Sequence, residues 1–154
     1  MEGKENLNNI LSEAIGSQME FNKVCAKTYN KLSKAAQVPE LAKALDPEQT
    51  GIDNHIGRLK LLTKLLGGSA GKQSLIFTFN PLKLSKNKAN EQDIQIIQTA
   101  LQLLAIQNIQ YDFILKLIQL LQLAHAPELI EQCMSENQDT QVWISRTRSH
   151  LLQP

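Results

Sequence analysis

Two short segments of this chain, 88 residues apart, are written almost alike. They are Ala36-Gln37-Val38-Pro39-Glu40-Leu41 and Ala124-His125-Ala126-Pro127-Glu128-Leu129, each a Pro-Glu-Leu helix start after an Ala-flanked stretch. The residue before a proline is pushed out of the α region, while proline itself suits the first position of a helix. Each segment therefore ends one helix and opens the next, and a corner this short makes its two helices antiparallel neighbours. The chain reads as a hairpin, a long connection and a second hairpin.

Apolar spacing fills in the helices. From about Glu5 to Gln37 the stripe runs Leu7, Leu11, Ile15, Cys25, Tyr29 and Leu32. The second helix carries Leu41, Leu45, Ile52, Ile56, Leu59, Leu62 and Leu66. Within it, Asp46-Pro47-Glu48-Gln49 is a fresh start signal and predicts a kink near Asp46, and Gly67-Gly68 closes the segment. Asn90, with Asp93 three residues on, caps a third helix that runs past Leu121 and is ended by Ala126-Pro127. A fourth carries Leu129, Ile130, Cys133, Thr140, Trp143, Ile144 and Leu151.

The hairpins span 5–66 and 91–152, and the crossover 67–90 is long enough to run the length of a bundle. One domain over 1–154 is expected, an all-α, ferritin-like four-helix bundle. Composition agrees: 24 Leu and 16 Gln favour helices, and seven aromatics with seven Gly and five Pro argue against a sandwich or barrel.

Charge excludes some functions. With 16 Lys+Arg against 15 Asp+Glu, the chain lacks the basic footprint of a nucleic-acid binder. No membrane association is expected either, because the most apolar stretch, Phe113 to Ala124, is short and broken by Lys116, Gln119 and Gln122. The polar start, Met1-Glu2-Gly3-Lys4-Glu5-Asn6, shows no signal peptide, so a cytoplasmic protein is expected. Cys25 and Cys133 have no CxxC spacing and read as small core residues.

The informative polar residues interrupt the inner stripes. Gln18 and Asn22 fall between Ile15 and Cys25, and Gln107 and Asn108 between Leu104 and Tyr111, about halfway along each helix. In a ferritin-like bundle that height is where inward Glu and His residues hold two metal ions. These amides are either a hydrogen-bonded layer in place of such a site, or partly solvated residues at the edge of the stripe.

His55 shares a face with Ile52, Ile56 and Leu59, and a lone histidine there is ordinarily a core side chain. A metal would need further ligands, for which Glu20, Glu48, Asp53, Asp112, Glu136 and Asp139 are the candidates. His125 and His150 fall at helix ends, where the dipole accounts for them. No Ser/His/Asp or Cys/His constellation is visible.

The first corner resembles a known group. Lys31-Leu32-Ser33-Lys34-Ala35-Ala36-Gln37-Val38-Pro39-Glu40-Leu41 is similar to the K-L-x-K-A-A-x-x-P-E-L corner of the YciE/YciF-like stress proteins of the ferritin-like superfamily. His55-Ile56-Gly57-Arg58-Leu59 followed by Leu65-Leu66-Gly67 is similar to their H-V-x-R-L…L-G, and Tyr111 matches the last residue of their E-H-Y-E-I-A-x-Y stretch. The resemblance implies a dimeric bacterial four-helix bundle linked to stress responses, with a di-iron-type site. Carried onto this sequence, the family's first-helix Glu falls on Asn22 and its third-helix Glu residues on Leu104 and Gln107. The acidic residue before the histidine falls on Thr50 or Gly51. His55 survives, with Glu136 as a fourth-helix remnant.

The expected function is therefore a ferritin-like protein, non-catalytic or weakly metal-binding, that acts through dimerisation or partner binding without a cofactor. Leu75-Ile76-Phe77-Thr78-Phe79 in the crossover is a candidate dimer contact. One alternative is an iron or manganese oxidoreductase with a rearranged site of His55, Glu20, Glu48 and Glu136. Another is a small-molecule pocket lined by Gln18, Asn22, Gln107 and Asn108.

Overall fold

The computed structural model describes residues 2–68 and 89–153, which are helical throughout apart from the corners, with no strand among the described residues. The expected crossover, including Leu75-Ile76-Phe77-Thr78-Phe79, lies outside the described residues except at its two ends. Among the described residues six helices follow in order: α1 (Glu2–Ala35), α2 (Pro39–Ala44), α3 (Pro47–Thr50), α4 (Ile52–Leu65), α5 (Ala89–Leu120) and α6 (Pro127–Leu151).

The second stretch breaks twice rather than once. At Asp46 the break is the expected one: its carboxylate accepts the N–H of Glu48 at 3.1 Å, and Pro47 takes the first helical position. The second break is at Gly51, which adopts a left-handed φ of 64° and joins α3 to α4. A side chain is disfavoured in that conformation, so the glycine permits a turn that apolar spacing does not reveal. At the end of α4, Gly67 donates to Lys64 and Gly68 to Thr63, the paired capping bonds of a Schellman motif, as the Gly-Gly signal predicts.

The second corner departs from expectation. α5 ends at Leu120, well before Pro127, because Gln122 turns left-handed at φ 54°. Gln122 then donates to Gln119 and Leu123 to Ile118, which closes the helix with the same Schellman pattern but without a glycine. His125, at φ 65°, sits in the connection and not at a helix end. Two corners alike in sequence are thus built differently, the first from an extended Val38 and the second from two left-handed residues.

Cross-helix contacts give the directions. Asn22 meets Tyr111, Tyr29 meets Gln107, and the Gln37–Val38 corner meets Asp93, so α5 runs antiparallel to α1. Likewise Glu40 meets His150, His55 meets Glu136 and Arg58 meets Cys133, which sets α6 antiparallel to α2 and α4. α1 also packs on α2 and α4, and α5 packs on α6.

The apolar interior forms two clusters. One centres on Phe21, Cys25, Tyr29, Leu41, Leu45 and Ile97, and the other on Leu11, Ile15, Leu59, Leu62, Ile118 and Ile130. Every long helix contributes to both, and where the two meet lies a layer of buried polar side chains.

Candidate functional site: a buried polar layer

That layer is polar and largely hydrogen-bonded, with Gln18 Oε1 and His55 Nε2 as its buried polar atoms without a hydrogen-bond partner. Gln18 and Asn22 stand one turn apart on α1, His55 comes from α4, Gln107 and Tyr111 stand one turn apart on α5, and all five are fully buried. Asn22 is the hub. Its carbonyl accepts from Gln18 Nε2 at 2.8 Å and from Gln107 Nε2 at 2.9 Å, and its own amide donates to the Tyr111 oxygen at 2.9 Å. The Gln107 carbonyl in turn accepts from the Tyr29 hydroxyl at 2.8 Å. A buried amide or phenol without a partner costs about 1–3 kcal/mol, so mutual satisfaction is what makes such a layer tolerable inside a helical core.

The layer leads outward through His55. His55 Nδ1 lies 2.9 Å from the Tyr111 oxygen. Because Asn22 already donates to that oxygen, the phenolic hydrogen is assigned to Nδ1, which leaves the imidazole hydrogen on Nε2. Nε2 lies 3.2 Å from Glu136 Oε1, at an angle too oblique for a directed hydrogen bond. Glu136 itself is gripped by both arms of Arg58, at 2.7 and 2.8 Å. Its side chain is 30% exposed and that of Arg58 15%, so this ion pair seals the layer against solvent. Cys133 sits against both Arg58 and Tyr111.

Electrostatics follow from that geometry. Burial pushes His55 down to about 4, against the pull of Glu136, so the imidazole is neutral at neutral pH. Tyr29 and Tyr111 are held well above the usual phenol range, chiefly by burial. Partial burial raises Glu136, but the hydrogen bonds and charge of Arg58, with His55, outweigh it and hold the carboxyl below the usual range. Burial raises Cys133 despite Arg58, and so disfavours a thiolate.

Of the sequence candidates, the structure joins Gln18, Asn22, Gln107, His55 and Glu136 in one network. Asn108 is outside it, half-buried, accepting from Asn137 at 3.0 Å. Glu20 is exposed and paired with Lys23 at 3.1 Å, and Glu48 is exposed on the wall of a surface cavity with Gly51 and Asp53. Asp112 pairs with Lys116 at 2.7 Å, and Asp53 and Asp139 are exposed.

The sequence reading missed Tyr29, Tyr111 and Arg58 as members of the layer. Both tyrosines count as apolar in a periodicity argument, yet a buried hydroxyl must find a partner, and a tyrosine at the height of the amides is the available signal. Asp93 is buried and accepts the backbone N–H groups of Gln37 at 3.0 Å and Val38 at 2.9 Å, a role that its position three residues after Asn90 does not reveal.

A dinuclear iron or manganese centre requires several anionic oxygens to neutralise its charge. Here the inward donors are neutral amides engaged with one another, and the one carboxylate at the layer is held by an arginine. Among the described residues, no group of three or more His, Cys, Asp and Glu is placed to hold a metal ion. These residues do not fit a dinuclear centre. The described cavities, the largest of about 340 Å³, are lined by other residues, such as Asn8, Ser12 and Thr63. No described helix is long and apolar enough to cross a membrane.

The family model described as a domain of unknown function (DUF892) matches residues 6–153. The crystal structure of the E. coli stress protein YciF superposes with a TM-score of 0.79, covering 95% of this chain and 96% of that one at 14% identity. No curated protein matches the sequence.

Proposed function

The chain belongs to the DUF892 family, and from that membership we propose that it is a cytoplasmic, stress-associated, ferritin-like four-helix bundle acting by self-association or partner binding, not by redox catalysis at a metal centre. The observation that carries this reading is the closed layer around Asn22, in which amides stand where a ferritin-like bundle would present carboxylates. The antiparallel pairings of α1 with α5 and of α4 with α6 support that connectivity, because they put the end of α4 and the start of α5 at opposite ends of α1. The fold likeness to the E. coli stress protein YciF supports the stress association.

Self-association has support on α5. Ile109, Phe113 and Leu120 lie along one outer side of that helix, and Ile109 is 71% exposed. Large apolar side chains aligned in this way favour burial against another surface.

Metal analysis of protein purified without chelator, then incubated with iron or manganese, tests the central claim. Substoichiometric, easily removed metal is the expected outcome, and one or two tightly held ions per chain would overturn it. Light scattering at tens of micromolar tests self-association, where a strict monomer would remove that part.

A further inference from the structure

We propose that Tyr111 is a redox-active tyrosine, able to give up one electron to an external one-electron oxidant while its phenolic proton moves to His55. The inference goes beyond the function proposed above and does not depend on it. Its basis is the geometry of one hydrogen bond and what lies on each side of it.

Oxidising a phenol in an apolar interior is prohibitive if a radical cation must remain there, so the proton has to leave with the electron. Of the two buried tyrosines, one has a base to receive it. The Tyr111 oxygen lies 2.9 Å from His55 Nδ1, whose lone pair already accepts the phenolic hydrogen because the imidazole is neutral. Tyr29 faces only the Gln107 carbonyl, at 2.8 Å, and an amide oxygen is a poor proton acceptor. The surroundings of the acceptor also fit. A proton on His55 makes an imidazolium that burial disfavours, but whose Nε2 lies 3.2 Å from the Glu136 carboxylate, a negative charge that offsets part of that cost. That carboxylate is fixed in place by the two bonds from Arg58. Asn22, meanwhile, keeps donating to the phenolic oxygen at 2.9 Å and so stabilises the phenoxyl product.

The step balances. The Tyr111 O–H bond breaks, the electron reduces the oxidant by one unit, and the proton forms a bond to Nδ1 of His55, leaving a neutral phenoxyl radical beside an imidazolium. Return of an electron from any reductant draws the proton back along the same bond. Complete burial of Tyr111 keeps bulk water and other radicals from the phenoxyl oxygen, so the product is predicted to be long-lived.

The test is photo-oxidation of the full chain by ruthenium tris-bipyridine with persulfate as electron acceptor, followed by freeze-quench electron paramagnetic resonance. The expected result is a neutral tyrosyl radical that is lost in Tyr111→Phe, retained in Tyr29→Phe, and at least about tenfold shorter-lived in His55→Gln. Because substitutions in a buried layer can disturb folding, the unmodified protein supplies a second readout. Labelling its histidines with nitrogen-15 must change the nitrogen coupling of the radical in a pulsed double-resonance spectrum. No tyrosyl radical, a radical on Tyr29 or Trp143, or a spectrum indifferent to the histidine label would each overturn the proposal.

Discussion

Asp93 Oδ2 accepts the backbone N–H of Val38 at 2.9 Å, tying the first turns of α5 to the corner between α1 and α2. The other oxygen takes the N–H of Gln37 at 3.0 Å, so one carboxylate satisfies both donors that the proline corner leaves open. The start of α5 is thereby registered against the corner between α1 and α2.

Asp93→Ala strands both donors and is expected to destabilise the fold by about 2 kcal/mol, while Asp93→Asn, which keeps one acceptor, costs about half as much. Urea unfolding midpoints of the two variants check the order. Equal losses would show that the second hydrogen bond contributes nothing.

His55 makes stability depend on pH in a stated direction. Burial lowers its folded value from 6.5 to about 4, so between those limits the unfolded chain binds a proton that the native protein does not. Stability is then complete above about pH 6.5 and falls as the pH drops towards 4, by about 2 kcal/mol between pH 7 and pH 5. Unfolding at both pH values should show this slope in the parent and lose most of it in His55→Gln.

Asn22→Asp is expected to behave in the opposite sense. A carboxyl at the hub cannot donate to Tyr111 when ionised, and burial raises its pKa. The variant should be about 3 kcal/mol less stable than the parent at pH 7 and recover part of that loss at pH 5, where the carboxyl is protonated. A deficit that does not shrink on acidification would mean that solvent reaches the hub.

Two glycines in one region should respond with opposite signs. At Gly51 a Cβ would sit 3.2 Å from Glu136 Oε1 on a backbone at φ 64°. Gly51→Ala is therefore expected to cost about 1–2 kcal/mol and lower the melting temperature by roughly 2–8 °C. Gly57 lies inside α4 with nothing within 4 Å of the position a Cβ would take. Gly57→Ala should stabilise by about 0.5–1 kcal/mol. Scanning calorimetry of the pair decides.

At the second corner, Gln122 holds a left-handed conformation at φ 54° that disfavours a side chain. Gln122→Gly should stabilise the protein by about 0.5–1 kcal/mol, and a loss of stability would show that the glutamine side chain makes a compensating contact.

Much of the architecture was legible because it rests on local chemistry. Pro39 and Pro127 open helices where the sequence says they should, Asp46 caps α3, and Gly67-Gly68 closes α4. The end of α5 was not legible, since a left-handed glutamine carries no signal comparable to glycine and the later Pro127 is the louder cue. The polar layer was half legible. The positions of Gln18, Asn22 and Gln107 within apolar stripes marked its height, but Asn108, one residue from Gln107, turns to the edge and bonds Asn137 instead.

Spacing along one chain reports a helix's face to about one residue position, and that was enough to set helices, corners and the level of the amides from the sequence alone. It carries no information on which atom of one helix meets which atom of another. Only the tertiary structure brought His55 Nδ1 to the Tyr111 oxygen and Glu136 to Arg58. It alone made Asn22 a hub with both of its polar atoms engaged, because such bonds form between helices whose relative rotation is set by packing the whole core.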